Sequence, residues 1–108
     1  MSVPALRLDK WLWYARFAKT RALAQKLIEV GQVTVNGSPA LKPSVPVHPG
    51  DRIAVVLGPV RRTVTVREIG ARRGPPAEAR GLYDEPAPPE RLSWEDAGVP
   101  LHSRGSGL

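Results

Sequence analysis

The sequence has no cysteine. That excludes a disulfide framework and a cysteine-based zinc site, and it suits a reducing compartment. Long apolar runs are missing too. Met1 to Leu6 is followed at once by Arg7, Asp9 and Lys10, and no stretch reaches the length of a signal-peptide core or a membrane span. A cytoplasmic protein with no membrane partner is expected. Phenylalanine and methionine occur once each, and 108 residues hold one domain with little interior to spare for a deep substrate cavity.

Catalytic signatures are equally scarce. There is no GxGxxG and no P-loop, and the glycines punctuate turns. His48 lies in a proline-rich loop and His102 near the end of the chain, neither beside a recognisable Ser nucleophile. Asp84-Glu85 is a carboxylate pair in a segment that offers no pocket to shift its protonation. The expectation is a protein that is not an enzyme and needs no cofactor or metal, working as a monomer.

What is present is arginine, proline and an uneven charge. Residues 1–80 hold 14 Lys/Arg against 5 Asp/Glu, a net +9, while residues 81–108 hold 2 against 5, a net −3. A basic body of this kind implies a polyanionic partner.

Along the chain, Leu8, Trp11, Leu12 and Ala15 fall on one helical stripe, with Lys10, Trp13, Tyr14 and Phe17 on the other side. This predicts a short helix over 8–16, with Asp9 near its start suiting the positive end of the helix dipole. Thr20 is a good N-cap for a second helix over 21–30, whose expected inner face is Leu23, Ala24, Leu27 and Val30, stopped by Gly31. Val33-Thr34-Val35 reads as a strand ending at the turn dipeptide Asn36-Gly37. Three prolines keep 38–47 an ordered loop rather than a helix, and Pro49-Gly50-Asp51 turns the chain. Strands follow over 53–57 and 60–69, the second carrying Arg61, Thr63, Thr65 and Arg67 on its solvent face. The expected fold is α+β, two short helices packed on a small, mostly antiparallel sheet. The domain should span 7–69, with 70–108 a proline-rich, partly ordered tail. Local contacts are expected at 77–83 and Trp94, and disorder from Ser103 to Leu108.

The basic residues converge where the helices meet. Arg7, Lys10, Arg16, Lys19, Arg21 and Lys26 are opposed by Asp9 alone across residues 7–26. The second helix starts there, where free N–H groups and the helix dipole already favour phosphate. Arg21 and Gln25, four apart, share a face, and Thr20 can offer its hydroxyl outward. Such a surface suits the backbone of a structured RNA. Trp11 reads as core. Trp13 and Tyr14 are divided between packing and base stacking.

These segments also carry a resemblance. Arg7-Leu8-Asp9-Lys10-Trp11-Leu12, Arg16, Lys19-Thr20-Arg21-Ala22, Ile28, Gly31-X-Val33-X-Val35-Asn36-Gly37, Lys42-Pro43-Ser44 and Pro49-Gly50-Asp51 resemble the αL RNA-binding domain of ribosomal protein S-four. That module is shared with pseudouridine synthases and tyrosyl-tRNA synthetases, and the likeness covers roughly Leu6 to Ile69. Leu12 to Phe17, with Arg72-Arg73-Gly74-Pro75-Pro76-Ala77-Glu78-Ala79 and Leu82-Tyr83, is similar to the fifteen-kilodalton heat shock protein family. Members bind free large ribosomal subunits that carry a nascent chain on tRNA and are implicated in rescuing them. The resemblance implies an αL motif that binds ribosomal RNA on the large subunit, with peptidyl-tRNA as a further partner. By position it implies RNA-facing roles for Arg7, Lys10, Arg16, Lys19, Thr20, Arg21 and Gln25, with Asn36 and Lys42 bordering the surface. The sequence departs from the family after Tyr83, where a longer basic tail is replaced by a short, proline-rich, net acidic one. Alternatives are a stand-alone factor for ribosome assembly or translational regulation, the RNA-binding part of an RNA-modifying enzyme, and a protein–protein adaptor.

Overall fold

The computed structural model describes residues 4–92. His102 and the expectations for Trp94 and for Ser103 to Leu108 lie outside the described residues. Strand β1 (Leu6–Arg7) leads into helices α1 (Leu8–Tyr14) and α2 (Arg21–Glu29), then strands β2 (Val33–Val35), β3 (Ser38–Pro39), β4 (Pro46–Val47), β5 (Arg52–Leu57) and β6 (Val60–Val66). A short helix α3 (Pro76–Ala79) and a single turn of tighter helix precede β7 (Tyr83–Asp84) and β8 (Glu90–Arg91). Every strand pairing is antiparallel: β1 with β4 in a two-stranded ribbon, and β3-β2-β5-β6-β7 in order, with β8 also on β6. The fold is the expected α+β arrangement of two helices on a mostly antiparallel sheet.

Both helices stop in the same way. At the end of α2, Gly31 takes φ +81, its N–H bonds the Ile28 carbonyl at 3.1 Å, and the Gln32 N–H bonds the Leu27 carbonyl at 2.9 Å. At the end of α1, Arg16 holds the equivalent position with φ +65, Arg16 N–H reaching Trp13 and Phe17 N–H reaching Leu12. This pair of back-bonds satisfies carbonyls that a helix end otherwise leaves free. A non-glycine residue there costs about 1 kcal/mol. The helix over 8–16 therefore ends two residues early.

The core lies between the helix pair and β5–β6. Leu8, Trp11 and Leu12 of α1 and Ala24 and Ile28 of α2 pack on Ile53, Val55, Val64 and Val66, all essentially inaccessible. The Trp11 indole N–H donates to the Glu68 carbonyl at 3.0 Å, and its ring lies 6.0 Å from Phe17 and 6.4 Å from Tyr83. Tyr14 and Phe17 are buried as well. The helix is so short that its C-terminal loop folds the second aromatic side under the segment arriving from 69–83. The inner face of α2 is likewise shifted. Ala24 and Ile28 are buried, whereas Leu23 and Val30 remain half exposed.

Asn36 and Gly37 take φ +53 and +86, the conformation that a two-residue hairpin turn demands. The Asn36 amide donates to Asp51 at 3.1 Å and accepts the Arg52 N–H at 2.8 Å, tying this turn to the one at Pro49–Asp51.

Residues 70–92 build structure. β7 and β8 add to one edge of β6, Leu82 is buried, and the carboxylates of the segment face Arg61 and Arg62 of β6 and Arg67 just beyond it. Glu85 pairs with Arg62 at 2.7 Å, Glu90 with Arg61 at 3.1 Å and Asp84 with Arg67 at 3.5 Å. Arg62 shares the inward face of β6 with Val64 and Val66, and its guanidinium lies 4.7 Å from the Phe17 ring centre. Its hydrogen bonds to Glu85 hold it charged and pull the Glu85 carboxyl below the usual range. The adjacent carboxylates Asp84 and Glu85, set aside as a catalytic pair from the sequence, each face an arginine.

Candidate nucleic-acid interface

The interface is organised by one buried acid. Asp9 sits in the first turn of α1 with no exposed surface. Its carboxylate accepts from Arg7 Nε at 3.1 Å and Nη2 at 3.2 Å, from Arg21 Nε at 3.2 Å and from Gln25 Nε2 at 2.9 Å. Burial alone would raise its pKa. The bonds from Gln25, Arg7 and Arg21, with the Arg21 charge, outweigh burial and hold it below the ordinary carboxylate value. Arg7 and Arg21 keep roughly half their side-chain surface in solvent, so the acid aims two guanidinium groups outward without neutralising both.

The loop after β3 is sewn to the same place. Leu8 N–H donates to the Val45 carbonyl at 2.8 Å and Asp9 N–H to the Pro43 carbonyl at 3.2 Å, which brings the exposed Lys42 beside Arg7. Across the helix junction, Thr20 caps α2 by accepting the Leu23 N–H at 3.1 Å, and Lys19 and Lys26 stand exposed. Lys10 lies 5.7 Å over the Tyr14 ring, on the adjoining face of α1.

Of the residues expected from the sequence, Arg7, Arg21 and Gln25 thus converge on one atom group, Lys42 borders them, and Lys19, Thr20 and Lys26 line the next turn. Arg16 is exposed but leans away, its Nε donating to the Gly74 carbonyl at 2.8 Å. Asn36 spends its amide on Asp51 and Arg52, as the turn geometry requires. Sequence reasoning misses two members. By sequence Asp9 is only a helix-dipole partner, although it is the one acid inside a run of bases. Arg73, arriving from the 70–75 segment, donates to the Trp13 carbonyl at 3.1 Å and lies 5.9 Å from its ring, adding a cation next to Arg16.

The arrangement is suited to reading phosphates: several donors of fixed geometry, unopposed on the solvent side, at a capped helix start. His48 and Asp51 are 3.5 Å apart, but Asp51 locks the turn by accepting the His48 N–H at 2.8 Å. Among the described residues no group of three or more His, Cys, Asp or Glu could hold a metal ion, and no helix is long and apolar enough to cross a membrane.

This geometry implies an acid transition. Asp9, Asp51 and Glu85 all titrate below their ordinary values in the folded chain. Groups with depressed folded pKa values stabilise fully above the unfolded carboxylate range, and that contribution disappears as pH falls through the folded values. The melting temperature should hold steady above about pH 5 and fall steeply below about pH 4. Asp9→Asn should lower stability at pH 7 by about 2–4 kcal/mol, because the four charge-assisted bonds from Arg7, Arg21 and Gln25 weaken together, and should flatten the acid limb. A melting temperature that stays level down to pH 3 would contradict the role given to Asp9.

Residues 6–53 match the S4 domain family model. The chain is 49% identical over 82 residues to heat shock protein 15 of Escherichia coli strain K12, covering 76% of this chain and 61% of that relative, so it spans less than two thirds of that protein's length. It is 41% identical over 64 residues to the RQC P-site tRNA stabilizing factor of Bacillus subtilis, covering 59% of this chain and 73% of that one. The solved trimeric structure of Vibrio cholerae heat shock protein 15 superimposes with a TM-score of 0.73 at 44% identity, covering 78% of this chain and 84% of that one.

Proposed function

The chain belongs to the heat shock protein 15 family of S4-domain proteins, and from that premise we propose that it is a cytoplasmic, non-enzymatic RNA-binding protein. It acts on large ribosomal subunits that are blocked by a nascent chain on tRNA. The observation that carries the reading is the Asp9 hub, which orients Arg7, Arg21 and Gln25 on one face beside Lys42. A merely soluble basic surface has no need of a buried carboxylate to aim its arginines.

The finer assignment, ribosomal RNA of the large subunit with peptidyl-tRNA as a neighbouring partner, rests on relatives, one named for heat shock and one for stabilising P-site tRNA in ribosome quality control. The carboxylates of 84–90 support it indirectly. By engaging Arg61, Arg62 and Arg67 they leave the helix pair as the concentrated positive surface. The monomer expected from the sequence stands against the trimeric Vibrio cholerae relative. Sizing the free and subunit-bound protein decides between them.

The test is sedimentation of tagged protein with ribosomal fractions, followed by crosslinking and sequencing of the bound RNA. Enrichment on free large subunits, with crosslinks mapping to Lys19, Arg21 or Lys42, is expected. Equal distribution over small subunits and bulk RNA would leave only a generic polyanion binder.

A further inference from the structure

The segment returning from β6 crosses the end of α1, and the two are tied by a reciprocal exchange. Arg16 Nε donates to the Gly74 carbonyl at 2.8 Å, and Arg73 Nε donates to the Trp13 carbonyl at 3.1 Å. The Tyr14 hydroxyl adds a third tie, donating to the Ala71 carbonyl at 3.3 Å. Each arginine is therefore fixed by its inner nitrogen alone. Among the described residues the terminal nitrogens of both make no hydrogen bond, and neither arginine has an ion pair. The acid beside this clasp, Glu78, is engaged by Arg72 at 2.8 Å.

Pinning the segment does not account for these residues. Arg16 stands at φ +65, a conformation that suits glycine and strains any L side chain. A guanidinium held at Nε keeps an outer fork whose geometry matches the oxygens of a phosphate. Trp13 lies within the clasp. Its ring is partly exposed, the Arg73 guanidinium is 5.9 Å from its centre, and its indole N–H has no partner among the described residues, unlike that of Trp11. Tyr14 tilts against it at 5.8 Å, with Lys10 over the Tyr14 ring. Unpaired bases stack on aromatic rings and guanidinium planes, whereas bases inside a duplex present only their edges.

We propose that the end of α1 is a second RNA subsite, which takes one unpaired nucleotide. Its phosphate meets the crossed guanidinium groups of Arg16 and Arg73, and its base lies against Trp13. The subsite stands roughly 10 Å along α1 from the Asp9 hub, so one RNA can engage both. It rests on the RNA reading above, and it assigns the two surfaces different duties. The hub holds the backbone of structured RNA, and the clasp holds a loop or a strand end.

The test uses the full chain with two labelled probes, a short oligouridylate and an RNA hairpin. Ultraviolet crosslinking to the oligouridylate, with the peptides mapped by mass spectrometry, should place uridine on Trp13 or within 71–75. Arg16→Gly with Arg73→Gln should flatten the log–log salt slope for oligouridylate by roughly 1.4, at about 0.7 per contact on a single strand. Near physiological salt that weakens binding about tenfold, while the hairpin should lose less than about threefold. Glycine suits the backbone at position 16, and thermal melting checks the fold. If the double variant does not fold, the crosslinks on the parent decide. Crosslinks confined to residues 19–26 and Lys42, or equal losses on the two probes, overturn the subsite and leave the RNA reading standing. Salt-insensitive binding of both probes defeats the RNA reading itself, and the subsite with it.

Discussion

Trp11→Ala should unfold the domain rather than selectively abolish binding. The side chain is fully buried between α1 and the sheet, stacks on Phe17, meets Tyr83 edge-on and donates to the Glu68 carbonyl. Truncation empties the largest inaccessible side chain of the core, at about 3–5 kcal/mol, and leaves a carbonyl without its donor. Domains of this size hold about 5–10 kcal/mol in total, so roughly a third or more is lost. At 4–8 °C per kcal/mol, the melting temperature should fall by at least about 12 °C. Trp11→Phe, which keeps a ring and loses the N–H, should lose less than half as much. Thermal and urea unfolding check both. If Trp11→Ala melted like the parent yet failed to bind RNA, the ring would be a base-stacking surface and its packing role would be wrong.

Trp11 was legible because its neighbours Leu8, Leu12 and Ala15 repeat at helical spacing. The same periodicity misplaced the inner face of α2, for a reason in the chain. Leu23, Ala24, Leu27, Ile28 and Val30 form a stripe broader than one contact, and periodicity does not say which half meets the sheet. The sheet selected the small Ala24, which allows close approach, together with Ile28. The end of α1 was hidden by chemistry of another kind. Arg16 adopts the left-handed conformation that glycine usually marks, so no stop signal was visible before Phe17. Beyond Gly70 the difficulty was prolines. They suppress periodicity without preventing two-residue strands, and β7 and β8 are held by side-chain hydrogen bonds across 21 to 29 residues of sequence that no local pattern encodes.

For the interface, the charge count located the surface and the helix junction, since both depend on composition and local spacing. What stayed hidden were the relations between side chains. That Asp9 bonds residues 12 and 16 positions away, or that Arg16 reaches Gly74 58 positions on, emerges only once α1 and α2 are crossed and the 70–75 segment is laid against them. These relations divide the cations into those held by the fold and those free to move, and that division makes a sharper experiment possible.

Lys19→Gln, Arg21→Gln and Lys42→Gln in one chain should weaken RNA binding roughly hundredfold near physiological salt while leaving the protein folded. The side chains of Lys19 and Lys42 make no hydrogen bond or ion pair among the described residues, so their replacement should cost no more than about 0.5 kcal/mol each. Arg21→Gln removes one of the donors on Asp9 and should cost about 1 kcal/mol, since Arg7 and Gln25 remain in place. Against RNA the three changes act together. Each phosphate contact contributes about 0.7–0.9 to the slope of log affinity against log salt, so three losses should flatten it by roughly 2 to 2.7. Near 0.15 M salt that same release amounts to somewhat under a decade of affinity per contact, which gives the hundredfold figure. A salt titration on large subunits or ribosomal RNA fragments, parent against triple variant, reads slope and affinity together, and circular dichroism reads the fold. A folded variant with the parent's slope would move the RNA surface away from the helix junction. Loss of fold and binding together would make these cations structural, against the exposure seen for Lys19 and Lys42.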